Sequence, residues 1–153
     1  MRTFPESVLL VDDDPTNRQV LSVFLRSEGC IVTEVASGGE CRTVLEKRVP
    51  DLVLLDVMLP DGSGVDLCAQ IKGDPMYSDL LVMLISGNKV SPEEQALGLE
   101  VGADDYITRP VDKREFLARI RAAFRLRESI KSRYAGKRMP FESHANTTDT
   151  ART

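Results

Sequence analysis

The residues with the most chemical potential in this chain of 153 residues stand just past short apolar runs. Asp12, Asp13 and Asp14 follow Val8 to Val11, Asp56 follows Leu52 to Leu55, Ser86 follows Leu80 to Ile85, and Arg109 follows Tyr106 to Thr108. If these runs are strands of an open α/β sheet, their carboxyl ends form the rim where such sheets bind ligands. Three carboxylates, a hydroxyl and a cation then share one place. Clustered carboxylates repel and drift toward protonation unless a positive charge offsets them, so a hard divalent cation is the economical companion, and magnesium fits better than zinc. A carboxylate beside magnesium can attack a phosphoryl group and form an aspartyl-phosphate, while the hydroxyl and the cation hold the phosphoryl oxygens. Asp56 is the natural nucleophile. Taken alone, the Asp12 to Asp14 triplet would read as a solvated turn with a helix cap; Asp56 and Ser86 tip it toward a site, and Asp14 is left as the cap.

Elements able to position these groups are written into the chain. The runs at Val8 to Val11, Leu52 to Leu55 and Leu80 to Ile85 are too uniformly apolar to have a wet face and read as central parallel strands. Ile31 to Val35, broken by Thr33 and Glu34, reads as an edge strand, and Tyr106 to Thr108 as a short fifth. Helices fall between them. Asp14 caps one opened by Pro15, with Val20, Leu21, Phe24 and Leu25 on one face and Gly29 as the stop. Ser37 with Glu40 and Ser91 with Glu94 have capping-box spacing, and Asp112 with Glu115 is a looser version in which Val111 and Phe116 can form a staple. A further helix follows Ser63 and stops at Gly73, with Val65, Cys68 and Ile71 inward. Strand then helix, five times, predicts right-handed crossovers and helices on both faces of one parallel sheet.

Composition narrows the class further. The longest apolar runs fall far short of the roughly 18 residues a membrane span needs, and no basic-then-apolar leader opens the chain, so secretion and membrane insertion are disfavoured and a cytoplasmic location is expected. Cys30, Cys41 and Cys68 are an odd number without metal-ligand spacing, which favours reduced core thiols over a disulfide framework. His144 stands alone and adds no second ligand. Residues 1–112 carry 9 basic against 20 acidic side chains, whereas residues 113–138 carry 10 against 2. That asymmetry suggests an acidic body followed by a basic helix. Residues 139–153 hold too little apolar surface to fold by themselves and are expected to be a disordered tail, after a body over 1–127 and a helical extension over 128–138.

The segments Val11-Asp12-Asp13-Asp14-Pro15, Asp56 through Gly64 (Asp-Val-Met-Leu-Pro-Asp-Gly-Ser-Gly), Ser86-Gly87 and Tyr106-Ile107-Thr108-Arg109-Pro110 together resemble a receiver domain of two-component response regulators, of the chemotaxis-regulator kind. The resemblance covers roughly Ser7 to Arg127, and its specificity lies in four blocks occurring in order at strand ends. It implies a flavodoxin-like five-stranded sheet of order 2-1-3-4-5 with five helices, the last one extended. It implies that Asp56 accepts phosphate from a histidine kinase or phosphotransfer protein, and that Asp13, Asp56 and the Met58 carbonyl bind magnesium, with Asp12 acting through water. Ser86 would contact a phosphoryl oxygen, and Tyr106 matches the switch aromatic whose ring turns inward when that hydroxyl moves. Phosphorylation would then bias a surface that controls a partner or output domain. Such a domain is regulatory rather than an enzyme, catalysing only its own phosphoryl uptake and loss.

Two departures stand out. Arg109 occupies the position of the family's lysine, and a planar guanidinium is not an equivalent substitute; it can pair with phosphate or be held by Asp104 or Asp105. Gly87, where the family usually has alanine, leaves room above the site. These departures motivate an alternative, a phosphate-independent receiver-like binding or dimerisation module. A magnesium-dependent phosphohydrolase of the haloacid dehalogenase kind fits worse, since its pattern wants a second aspartate where Met58 stands. The helix from Asp112 carries Phe116, Leu117, Ile120, Phe124, Ile130 and Tyr134. Its segment from Leu117 resembles the linkers that join receivers to output domains, so a homodimer through it is conceivable, whereas direct nucleic-acid binding is not expected because stacking aromatics are sparse.

Overall fold

Three apolar stretches are so thoroughly withdrawn from water that they can only be interior strands. In the computed structural model, which describes residues 5–87 and 90–152 and the side chains as far as residue 133, they form β1 (Ser7–Val11), β3 (Leu52–Asp56) and β4 (Leu81–Ser86), and the short β5 (Asp105–Thr108) closes one edge of the sheet. Every residue of β3 and β4 is buried. The edge strand β2 (Ile31–Val35) buries only Val35, as its interrupted pattern foretells. The sheet is wholly parallel in the order β2-β1-β3-β4-β5. This is the flavodoxin-like topology, with Asp56 beside Ile85 and Ser86 beside Thr108 in the register.

The helices begin where the polar caps are. Asp14 accepts from the Thr16 N–H at 2.9 Å and opens α1 (Pro15–Ser27), and Ser37 accepts from the Glu40 N–H at 3.2 Å and opens α2 (Gly38–Lys47). Ser63 caps α3 (Gly64–Lys72), Ser91 caps α4 (Pro92–Glu100), and the Asp112 carboxylate receives the Glu115 N–H at 2.9 Å at the start of α5 (Lys113–Arg152). Each cap satisfies donors that the first helical turn leaves open. One predicted face shifts: α1 buries Leu21, Ser22 and Leu25, while Val20 is exposed. A helix stripe about one residue wide at each turn holds Leu21 and Leu25 at its centre, and the neighbouring slot goes to Ser22.

Alternation along the strands divides the core. On one face Leu9, Val11, Val53, Leu55, Val82, Leu84 and Tyr106 pack with Cys41 and Leu45 of α2 and Leu67, Cys68 and Ile71 of α3. Burial pushes the thiols of Cys41 and Cys68 up to about 11, so they behave as small apolar groups, and Cys30, Cys41 and Cys68 are buried and in no disulfide. On α1 the ring of Phe24 meets that of Phe116 with centroids 6.2 Å apart.

The chain separates into two compact units, Met1–Leu117 and Ala118–Thr153. The second is the remainder of α5. Its backbone is one helix to Arg152, so the expected boundaries at 128 and 139 fall inside a single element. Within it Leu126 and Ile130 are exposed. The side chains of Tyr134 and His144 lie outside the described residues. Among the described residues no helix is long and apolar enough to cross a membrane.

Candidate functional site

The acidic rim forms because two strands end side by side. Asp12 follows β1, its N–H donating to the Val35 carbonyl at 3.1 Å, and Asp56 closes β3. Ligand oxygens of Asp12, Asp13 and Asp56 lie within 4.8 Å of one another. Asp12 is 1% exposed and Asp56 7%, while Asp13 faces water. Two hydrogen bonds lock the buried pair in place: Asp14 N–H donates to Asp12 Oδ1 and Met58 N–H to Asp56 Oδ1, both at 2.9 Å. Each is a turn within the segment itself, so the loop that follows the strand aims the carboxylate.

Arg109 completes the group. Its Nη2 donates to Asp12 Oδ2 at 2.5 Å and reaches Asp56 Oδ2 at 3.5 Å. The guanidinium is therefore not held by Asp104, which instead pairs with Lys72 Nζ at 2.7 Å and accepts the Val82 N–H at 2.8 Å. Position explains this. Asp104 precedes β5 at the far end of the strand, whereas the Arg109 N–H donates to the Ser86 carbonyl at 2.8 Å and so ties Arg109 to the end of β4. The space beside Gly87 is partly taken by the same side chain: an added Cβ there would meet Arg109 Nη1 at 3.4 Å, ordinary contact distance.

The electrostatics follow from burial. Asp12 is pushed up from 3.8 to about 6, chiefly because burial penalises its charge, with Asp56 adding to the rise and the Asp14 N–H and Arg109 opposing it. A buried carboxyl beside another, with Arg109 the one cation between them among the described residues, is a site that favours further positive charge. All the side-chain donors in the cluster are oxygens, which suits a hard divalent ion.

Ser86 ends β4, buried and one register step beyond the residue paired with Asp56. Tyr106 is not on the rim. It is 5% exposed and belongs to the core below it, beside Leu84 in the register.

Three contributors escape sequence reasoning. Arg18 Nη1 donates to the Asp12 carbonyl at 2.7 Å. Gly64 packs so closely that an added Cβ would sit 2.0 Å from the Asp56 carbonyl oxygen. Asp61, at the tip of the small antiparallel ribbon Met58–Leu59 and Gly62–Ser63, accepts the Gly38 and Gly39 N–H groups at 2.9 and 2.8 Å. These bonds hold its carboxyl below the usual carboxylate range. Only the glycine pair at the start of α2 hints at it, as an N-terminus open enough for a carboxylate to approach.

The chain matches the family model described as the response regulator receiver domain over residues 8–121. It is 38% identical over 128 residues to the DNA-binding response regulator MtrA of Mycolicibacterium smegmatis, covering 84% of this chain and 54% of that protein. It is likewise 38% identical over 120 residues to the phosphate regulon transcriptional regulatory protein PhoB of Pseudomonas aeruginosa, covering 78% and 52%. This chain thus spans about half the length of the curated relatives it matches. Among solved structures, a response regulator of Chloroflexus aurantiacus superposes with a TM-score of 0.73 at 31% identity, covering 77% of this chain and 96% of the other.

Proposed function

Because this chain belongs to the response regulator receiver domain family, and so is a regulatory phosphoacceptor module of two-component signalling, we propose that Asp56 is the residue phosphorylated. The observation that carries this is the buried Asp12 and Asp56 pair, with Asp13 beside it and Arg109 spanning the two. An Asp56 carboxylate oxygen attacks the phosphorus of the donor, the bond from phosphorus to the donor's leaving atom breaks, and an acyl phosphate forms on Asp56. Asp13, Asp56 and the Met58 carbonyl are the residues to hold magnesium, with Asp12 beside them; when bound, the ion neutralises charge on the transferring group. The Ser86 hydroxyl and the Arg109 guanidinium are placed to hold phosphoryl oxygens, and the domain catalyses its own uptake and loss of phosphate. Tyr106 and Ser86 carry the change to the surface.

The phosphodonor is a histidine kinase or phosphotransfer protein, and residues 1–127 act on a downstream domain or protein through the helical extension over 128–138, in the cytoplasm. Leu126 and Ile130, exposed on α5 on either side of the start of the extension, suit pairing with a second copy. MtrA is a DNA-binding response regulator, of which this chain matches 54%; residues 1–127 of this chain are sparse in stacking aromatics and net acidic, so we do not assign nucleic-acid contact to this segment.

Intact-mass measurement after incubation with magnesium and acetyl phosphate tests this reading. One phosphoryl adduct, absent from Asp56→Asn, supports it; an adduct that persists in that variant sinks it. A second reading, a phosphate-independent binding module, draws on the Arg109 contact with Asp12, which engages the cation before any phosphate arrives. It predicts no adduct with acetyl phosphate or kinase, and partner binding that Asp56→Asn leaves unchanged.

A further inference from the structure

Resting on the reading that Tyr106 reports the state of Asp56, we propose that Gly98 is a positioning residue for the switch: the absence of its side chain opens the slot in which the Tyr106 ring lies. The starting observation is a residue in the wrong place. Gly98 sits inside α4, a nine-residue helix, and is buried, although glycine is among the poorest helix formers and alanine, the best, is nearly as small. Backbone conformation does not ask for glycine here, since the residues with positive φ are Gly29, Gly62 and Gly102. Volume does. A Cβ on residue 98 would lie 2.7 and 2.8 Å from Cδ2 and Cε2 of Tyr106 and 3.0 Å from Cδ1 of Leu84. Carbon atoms do not approach so closely, so one methyl group and the inward ring exclude each other.

The walls of the slot explain why the ring, rather than the slot, gives way. Leu84 is the register partner of Tyr106 on the adjoining strand and is wholly buried, with no room to retreat. Tyr106 lies on the short terminal strand β5, next to α4, and its ring can leave only by turning outward. Gly98 therefore sets how readily the ring occupies the inward state without touching Asp12, Asp13, Asp56 or Arg109. Phosphoryl transfer to Asp56 and the response of Tyr106 are thereby separable: a methyl group at residue 98 leaves the first intact and blocks the second.

The test uses the full chain labelled with 3-fluorotyrosine, its three tyrosine signals assigned through Tyr77→Phe, Tyr106→Phe and Tyr134→Phe. In the unsubstituted chain the Tyr106 fluorine shows little shift between H2O and D2O, as a buried ring should. In Gly98→Ala it moves to the exposed position with a full solvent isotope shift, stays there after treatment with magnesium and acetyl phosphate, and Tm falls. In a Tyr106→Ala background the same Gly98→Ala change raises Tm, because an alanine now replaces a helix glycine and Leu84, the nearest remaining neighbour at 3.0 Å, can shift into the space the ring has left. A Tyr106 signal that stays buried in Gly98→Ala overturns the proposal. So does a return to the buried position on phosphorylation, or a Gly98→Ala penalty that persists in the Tyr106→Ala background, misfolding there included. The Asp56 adduct, read by mass on the same samples, is scored separately: its absence in the unsubstituted chain counts against Asp56 as phosphoacceptor, while the fluorine signals still decide the slot.

Discussion

Two glycines mark two corners of this domain, and they differ in what they make room for. At the acidic corner, Gly64 faces the Asp56 carbonyl, where an added Cβ would sit at 2.0 Å. At the β4–β5 corner, Gly98 faces the Tyr106 ring, where it would sit at 2.7 Å. The first obstacle is backbone that belongs to a strand buried along its whole length; the second is a side chain with its own torsions. A corner closed by backbone has one arrangement, whereas a corner closed by a ring has two. The difference teaches where this fold holds its chemistry still and where it lets a signal move.

The sharpest way to break that comparison is Gly64→Ala. We expect a loss of more than about 3 kcal/mol in urea unfolding, or no folded protein, because neither the strand nor the start of α3 can retreat. Near-normal stability would mean that the acidic corner is as pliable as the other one.

Next comes Arg109→Ala, which removes the cation that Asp12 and Asp56 share. A cost of about 2 kcal/mol is expected at pH 7.5, where Asp12 is charged, shrinking below pH 5 as Asp12 takes up a proton. Unfolding curves at the two pH values check this, and an equal loss at both would show that Arg109 acts by packing alone.

An effect of similar size is predicted for the unsubstituted protein without added metal. The folded state holds the Asp12 proton up to about pH 6, against 3.8 for an ordinary aspartate. The native state therefore binds more protons than the unfolded chain between about pH 4 and 6, and stability falls as pH rises through that window, then levels off. The fall amounts to roughly 1 to 3 kcal/mol. Asp12→Asn should flatten it, and added magnesium, which favours the charged carboxylate, should offset it; a decline of the same size in Asp12→Asn would place its origin elsewhere.

The smallest effect belongs to Asp61→Asn. An amide keeps one acceptor oxygen where the carboxylate offers two to Gly38 and Gly39, so Tm should drop slightly. In the unsubstituted protein the lowered carboxyl means that this support is present above the ordinary aspartate range and is lost as pH falls through the depressed value. No change in Tm would show that the ribbon and α2 do not depend on one another.

Much of this molecule was legible before any coordinate. The capping residues Asp14, Ser37, Ser63, Ser91 and Asp112 all accept the N–H groups that their positions promised, because a cap is a contact across two or three residues. The central strands β1, β3 and β4 were equally plain, since burial on both faces makes them near-continuous apolar runs. The convergence of Asp12, Asp13 and Asp56 followed from strand ends alone. Less could be read where the partner lies far along the chain. Arg109 had several carboxylates within reach on paper, and its choice of Asp12, 97 residues away, rests on the parallel register of β4 and β5. Asp61 looked like one more turn residue until the ribbon brought it to α2.

By itself, then, the sequence determined the alternation of strands and helices, the caps, and the oxygen-rich rim, because each depends on local hydrogen bonding or on the period of apolar residues. Tertiary structure alone decided which carboxylate takes the guanidinium, what Asp61 holds, and why residue 98 lacks a side chain. Those outcomes depend on distances of a few tenths of an ångström between elements distant in the chain, and only the packed sheet sets such distances.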